Sequence, residues 1–142
     1  MRHLFLVLLF FSCTAVVLGL FGIGRRQSIS VQGHLTCNGR PASGVKVKLY
    51  DKGVVFDSKL GQSYSDAFGR FWLSGSKSEI TRIDPKVNIY HKCNYRGPCY
   101  KKLSITIPKK FITLGRTPNH TYNIGSINLA SRFKGETIDC IN

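Results

Sequence analysis

The sequence is poor in acidic residues and carries none of the common catalytic motifs. It has 7 Asp and Glu against 21 Lys and Arg, for a formal net charge of +14. With so few carboxylates, a pair for general acid–base catalysis is hard to place. Gly-x-Ser-x-Gly, His-Glu-x-x-His, phosphate-loop and dinucleotide patterns are also missing. We therefore predict a protein that is not an enzyme, with no cofactor and no bound metal.

Long apolar runs are equally scarce, and the one that exists lies at the N-terminus. A short basic start is followed by an apolar stretch from Leu4 to Leu18 and then by Gly19, Gly22 and Gly24. This order is typical of a secretory signal peptide, with an uncleaved signal anchor as the alternative. We predict a signal peptide over residues 1–24, cleaved after Gly19 or Gly24, and one domain over residues 25–142. The mature chain is then secreted, extracellular or at the cell surface, with no transmembrane segment.

Cysteine is limited to five residues, and removal of the signal peptide takes Cys13. An even number in a short secreted chain indicates two disulfides. The stretch NIYHKCNYRGPCY has residue types that bind zinc, but it lacks the paired spacing of structural zinc sites and any Cys-x-x-Cys redox motif. His91 is instead expected to be a packed, hydrogen-bonded core residue. Four cysteines allow three pairings, all of them open at this point; we favour Cys37 with Cys93 and Cys99 with Cys140.

The excess of basic residues predicts an anionic partner, such as a phospholipid surface or a sulfated glycan. Nucleic acid is not expected, because the compartment is extracellular and no zinc-finger, RNP or basic-helix pattern occurs. Lysines at positions 46, 48 and 92 are predicted on outward strand faces. The alternative is that the lysines only keep the protein soluble and deter edge-to-edge aggregation. The candidate patch for an anionic ligand consists of Lys101, Lys102, Lys109, Lys110 and Arg116.

No amphipathic helix longer than about two turns can be drawn, although SEIT at 78–81 is compatible with a short one. The recurrent signal is instead alternation of apolar and polar residues, as in Val45, Val47 and Leu49 with lysines between. Similar segments occur near residues 29–37, 71–73, 87–92, 102–107 and 126–129. Turn-forming sequences such as NGRPASG and DAFG separate them. The pattern predicts an all-β antiparallel sandwich.

Long stretches of the chain resemble the nematode transthyretin-like family. The residues that carry the resemblance are FGIGRRQSISVQGHLTCNGRPASGVKVKLYD, SDAFGRFWLSGSKSEITRIDPKVNIYHKC, IPKKFITLG and FKGETIDC. One small departure is Ser65, where members of this family often have threonine. The resemblance implies a transthyretin-like sandwich of about seven strands, secretion, disulfides at the motif cysteines and no catalysis.

The related hydroxyisourate hydrolases share that fold but end in Tyr-Arg-Gly-Ser, which forms part of their site. This chain ends IDCIN, and its Tyr95-Arg96-Gly97 is followed by Pro98 in mid-chain, which is typical of a turn. We therefore predict a secreted binding protein that recognises anionic lipid or glycan or bridges to a cell-surface receptor. The alternatives are a secreted hydrolase and a carrier of a small hydrophobic ligand, the latter requiring an oligomer with a central channel.

The sequence also contains one N-glycosylation motif, Asn119-His120-Thr121. It lies in a polar segment, and its middle position is not proline. We predict a glycan on Asn119, with an unmodified turn as the alternative.

Overall fold

The computed structural model describes residues 24–142. The predicted signal peptide, apart from Gly24, lies outside the described residues. Within the described range, no helix has the length and apolar character needed to cross a membrane.

Residues 24–142 form two β-sheets. Seven strands have six or more residues, in agreement with the predicted number: β1 Arg25–Cys37, β3 Lys46–Asp51, β4 Ser58–Tyr64, β5 Arg70–Glu79, β6 Pro85–His91, β7 Tyr100–Thr106 and β9 Tyr122–Asn128. Three shorter strands complete the sheets: β2 Arg40–Pro41, β8 Thr113–Leu114 and β10 Thr137–Asp139. A 3₁₀ turn at Lys109–Phe111 follows β7.

The first sheet is built around β1, the longest strand. Strands β5 and β2 pair with β1 antiparallel, and β8 and β9 also pair with it. The second sheet has the order β10-β7-β6-β3-β4, and each of its pairs is antiparallel. The one parallel pair described is β1 with β9, which the sequence did not indicate. The all-β sandwich predicted from alternation and turns is confirmed.

The core lies between the two sheets. The first sheet contributes residues such as Ile29, Val31 and Leu73, and the second contributes residues such as Leu49 and Ile89, each at most 3% exposed. These five core residues are the apolar members of the alternating pattern, because successive side chains of a strand point to opposite faces. Burial of this apolar surface is the main favourable term for folding.

Strand β4 was missed by sequence reasoning. Its alternation is weak because small or polar residues such as Gly61 and Ser63 occupy half-buried positions, and a bulge at Leu60 shifts its register against β3. Two glycines bring the sheets close together at this edge. A Cβ atom at Gly61 would lie 2.6 Å from the Ser74 carbonyl oxygen, and one at Gly75 would lie 2.4 Å from the Leu60 carbonyl oxygen. The backbones of β4 and β5 therefore approach more closely than side chains would permit.

One smaller expectation is wrong, and one predicted turn is present. The SEIT segment is not helical, because Ser78 and Glu79 continue β5 and pair with the first residues of β1. The turn NGRPASG is a tight hairpin between β1 and β2, in which Asn38 and Gly39 both have positive φ. Asn-Gly favours this geometry, since both residues tolerate the left-handed region.

Candidate functional site

The four cysteines of the described chain form two disulfides, Cys37–Cys93 and Cys99–Cys140. These are the two pairs that the sequence analysis favoured. The first bond joins Cys37, the last residue of β1 in one sheet, to Cys93, two residues after the end of β6 in the other. Alternation back from buried Leu103 would turn Cys99 toward the core, but it does not face the core. It has a positive φ of 68° in the turn before β7, which breaks the alternation, and it pairs with the exposed Cys140.

His91 is a buried structural histidine. Its side chain is 1% exposed; Nδ1 accepts a hydrogen bond from the Cys93 backbone N–H at 3.1 Å, and Nε2 lies 3.3 Å from Glu136 Oε2. With Nδ1 as an acceptor, the Nε2–H is the group that donates to Glu136. No group of three or more metal-ligating side chains suited to an ion occurs among residues 24–142.

Burial lowers the pKa of His91, although hydrogen bonding to Glu136 opposes the shift. Because the folded pKa is below that of the unfolded chain, about 6.5, the unfolded state binds more protons at mildly acidic pH. We expect His91 to contribute stability above pH 6.5 that is lost as the pH falls toward its folded pKa. Thermal unfolding midpoints measured from pH 8 to pH 5 should decline less steeply in His91→Gln than in wild type. The control is His34→Gln, and equal slopes for wild type and His91→Gln would contradict the assignment.

The structure divides the predicted basic patch among three places. Lys101 and Lys102 lie at the start of β7 and point to opposite faces of the sheet, each beside a carboxylate: Lys101 is 3.6 Å from Glu136, and Lys102 is 3.3 Å from Asp139. Lys109 and Lys110 follow the far end of β7, about 20 Å away at roughly 3.3 Å per residue. Arg116 lies on the loop between β8 and β9, on the other sheet.

The three lysines predicted on outward faces also differ in exposure. Lys48 is only 9% exposed because its ammonium lies over the Tyr90 ring, 5.4 Å from the centroid. Burial, with the nearby charges of Lys46 and Lys59, lowers the pKa of Lys48. Lys92 is exposed and its ammonium lies 5.1 Å from the Tyr100 ring centroid. Lys46, Lys48 and Lys92 share the outer face of the second sheet with Lys102, because Lys46 pairs with Tyr90 and Tyr90 pairs with Lys102, whereas Lys101 points to the opposite face.

Three loops lie side by side at one end of the sandwich. They are residues 52–57 after β3, residues 80–84 before β6 and residues 107–111 after β7, and together we call them the three-loop end. The Lys52 N–H donates to the Asp84 carbonyl at 2.8 Å, which links the first loop to the second. The Arg82 guanidinium donates to the Lys109 carbonyl at 3.4 Å, which links the second to the third.

The tip of the first loop projects three apolar side chains into solvent. Val54, Val55 and Phe56 are 105%, 79% and 84% exposed. The loop is nevertheless held in shape. The Gly53 N–H donates to Asp57 Oδ1 at 3.2 Å, Asp57 lies 2.6 Å from the Lys86 ammonium, and a Cβ at Gly53 would overlap the Phe56 carbonyl. The hydrogen bond from Lys86 is the main reason why the pKa of Asp57 is lowered.

Four cations on these three loops have no acidic partner among the described residues. Within residues 24–142, Lys52, Arg82, Lys109 and Lys110 form no ion pair with a carboxylate, whereas Lys77 and Lys86 are neutralised by Asp51, Glu79 and Asp57. The three-loop end thus combines exposed apolar side chains with an excess of positive charge, since its loops carry four basic residues against Asp57 and Asp84. Sequence reasoning overlooked the tip. The three residues VVF between Gly53 and Asp57 were nevertheless a visible signal, because turns seldom contain three consecutive large apolar residues.

The predicted glycosylation residue Asn119 lies on the exposed loop between β8 and β9. Its N–H donates to Thr113 Oγ1 at 3.0 Å, and the residue itself is solvent-exposed. A glycan on this asparagine stays a prediction. Tyr95, of the mid-chain Tyr-Arg-Gly, donates its hydroxyl to the Pro98 carbonyl at 2.7 Å within the turn between β6 and β7.

Comparisons with known proteins agree with the fold. A model of the transthyretin-like family matches residues 32–108. Transthyretin-like protein 5 of Caenorhabditis elegans is 46% identical over 123 residues, covering 84% of this chain and 88% of that protein. Transthyretin-like proteins 33 and 46 of the same organism are 41% and 40% identical and cover 82% and 96% of this chain, and 83% and 75% of their own lengths.

One solved structure, a 9R-lipoxygenase from Cyanothece, was also similar. The match covers 72% of this chain and 16% of the lipoxygenase, at 16% identity and a TM-score of 0.42. A likeness this low has no bearing on fold or function.

Proposed function

The chain belongs to the transthyretin-like family, and from that premise we propose that it is a secreted extracellular protein that binds anionic membrane surfaces through its three-loop end. The observation that carries the proposal is the exposed Val54-Val55-Phe56 tip at the same end of the sandwich as four cations that form no ion pair within the described chain. Contiguous exposed apolar residues on a soluble domain mark an interaction surface. The neighbouring charge favours an anionic surface rather than a neutral protein groove.

The geometry suits shallow insertion into a bilayer. Three side chains at the most protruding point of one loop reach below the headgroups, while Lys52, Arg82, Lys109 and Lys110 stay at the level of the phosphates. Each basic residue near an anionic surface contributes about 1 kcal/mol. Full transfer of one valine or phenylalanine side chain from water contributes about 1.5–3 kcal/mol. The two contributions respond differently to salt, because screening weakens the attraction between charges but not the burial of apolar surface.

The test is cosedimentation of the mature, oxidised protein with phosphatidylcholine vesicles, with and without phosphatidylserine, over a range of salt concentrations. We expect binding that requires phosphatidylserine and weakens with salt. The triple variant Val54→Ser/Val55→Ser/Phe56→Ser should bind about 10- to 100-fold more weakly, because shallow insertion buries the three side chains only in part and their loss then costs about 1.4–2.8 kcal/mol in total.

The control also replaces exposed apolar residues by serine, but at the end of the sandwich opposite the three-loop end. Ile138 and Ile141 are 52% and 95% exposed near the C-terminus, and Ile138→Ser/Ile141→Ser should bind as wild type does. Equal binding to both vesicle types would refute the proposal, as would unchanged binding of the triple variant.

A further inference from the structure

The outer face of the first sheet carries a second feature, which the membrane proposal does not use. Trp72 is the third residue of β5; its side chain points away from the core and is 56% exposed. In register with it, Gln32 of β1 pairs with Trp72 on one side and with Asn123 of β9 on the other. The next row along the sheet is Arg70, His34 and Ser126. The exposed indole of Trp72 is therefore surrounded by side chains that can form hydrogen bonds.

Trp72 lines two neighbouring cavities on this face, which together we call the trough. The first, of about 460 Å³, is lined on its polar side by Gln32, His34, Arg70, Asn123 and Ser126. The second, of about 370 Å³, lies under the loop between β8 and β9 and is lined by residues that include Ser30, Ser74, Arg116 and Asn119. A bulge in β9 at positive-φ Gly125 opens the first cavity, since no side chain stands there.

We propose that this trough binds an acidic oligosaccharide, with one sugar ring on the Trp72 indole and anionic substituents toward Arg70 and Arg116. The indole offers a large flat apolar surface for the C–H face of a sugar ring. The surrounding amides, imidazole and hydroxyls donate and accept hydrogen bonds, which suits sugar hydroxyls. Ligand sites in proteins commonly combine an aromatic wall with a few convergent polar groups.

The charge of the lining selects an acidic sugar over a neutral one. Neither cavity has a carboxylate in its lining, so the lining itself does not repel sulfate or carboxylate groups of a ligand. The two arginines stand in different cavities, on either side of Trp72. Arg70 lies 3.6 Å from Asp66, but both side chains are at least half exposed. Exposed pairs of this kind contribute little stability, so a sulfate can replace the Asp66 contact at small cost.

The chain offers a direct readout, because Trp72 is its one tryptophan. Titration with a heparin-derived tetrasaccharide should change the intrinsic tryptophan emission of the protein in a saturable manner. In calorimetry, Trp72→Ala and Arg70→Ser/Arg116→Ser should each bind at least tenfold more weakly, whereas Trp72→Phe retains an aromatic surface and should bind within a few-fold of wild type. The titration is run on both wild type and Asn119→Gln, so that no glycan attached at Asn119 fills the trough.

Three results would overturn the inference: unchanged emission in both forms, unaltered affinity of Trp72→Ala, or equally tight binding of neutral chitotetraose. The outcome is independent of the membrane proposal. The variant Lys109→Glu/Lys110→Glu alters the three-loop end and should bind the tetrasaccharide as wild type does. Loss of tetrasaccharide binding in that variant would place the interaction at the three-loop end and not in the trough.

Discussion

Binding to phosphatidylserine vesicles at low salt is expected to fall by about 100- to 1000-fold when Lys109 and Lys110 are both changed to glutamate. Each reversal removes one attracted charge and adds one repelled charge near the membrane surface. At about 1 kcal/mol per charge, two reversals cost roughly 4 kcal/mol at most, and about 1.4 kcal/mol corresponds to tenfold. Both lysines are exposed at the three-loop end, so their substitution should leave the fold intact.

A second double variant, with the same change in charge at the end of the sandwich opposite the three-loop end, tests where on the protein the membrane binds. Arg132 and Lys134 are exposed on the connection between β9 and β10. Both double variants are also compared at about 0.1 M ionic strength, where the Debye length is about 10 Å. Cosedimentation of Arg132→Glu/Lys134→Glu should then show a loss of less than about tenfold, since surface charges farther than this from the membrane are screened. Similar losses in both double variants would mean that net charge, and not the three-loop end, governs binding.

A third variant tests the two residues of the predicted basic patch that are paired with acids, Lys101 and Lys102. Lys101→Gln/Lys102→Gln removes the charges that Glu136 and Asp139 already neutralise. Vesicle binding of this variant should be close to that of wild type. A loss as large as that of Lys109→Glu/Lys110→Glu would return the anionic site to the start of β7.

Removal of the Cys37–Cys93 disulfide is expected to lower the free energy of unfolding by about 4 kcal/mol. The two cysteines are 56 residues apart, and constraint of a loop of this length in the unfolded chain gives about that value. The bond also joins the two sheets, and Cys93 is 8% exposed against the core. Cys37→Ala/Cys93→Ala therefore also leaves a small cavity between the sheets, which adds to the loss.

The second disulfide provides the matched comparison. Cys99 and Cys140 are 41 residues apart, so loop constraint alone predicts nearly the same loss, also about 4 kcal/mol. Because Cys140 is exposed, Cys99→Ala/Cys140→Ala should lose less in total than the first variant. Urea denaturation of both variants measures the loss in the free energy of unfolding, and peptide mapping of the unreduced wild type shows the disulfide pairing. A larger loss for Cys99→Ala/Cys140→Ala, or a different pairing in the peptide map, would contradict the assignment of the core-linking bond.

The basic patch shows where sequence reasoning about sites failed. Lys101 and Lys102 are consecutive residues of a strand, so alternation alone already required them to point to opposite faces. Their neutralisation was out of reach, because Glu136 and Asp139 come from a segment more than thirty residues later that pairs with β7 as β10. Strand β4 was missed for a related cause: an edge strand with glycine and serine at half-buried positions has little apolar contrast to detect.

Alternation, turn chemistry and an even number of cysteines are local properties of the chain. They were sufficient to predict an all-β sandwich with disulfides, because hydrophobic burial on one face of each strand and the geometry of a tight Asn-Gly turn are determined by a few neighbouring residues. The assembly of the candidate surfaces is not local. Strand pairing brings residues 52–57, 80–84 and 107–111 to one end and sets Trp72 between Arg70 and Arg116 on one face. Those neighbours follow from sheet order and register, which depend on the packing of the whole core.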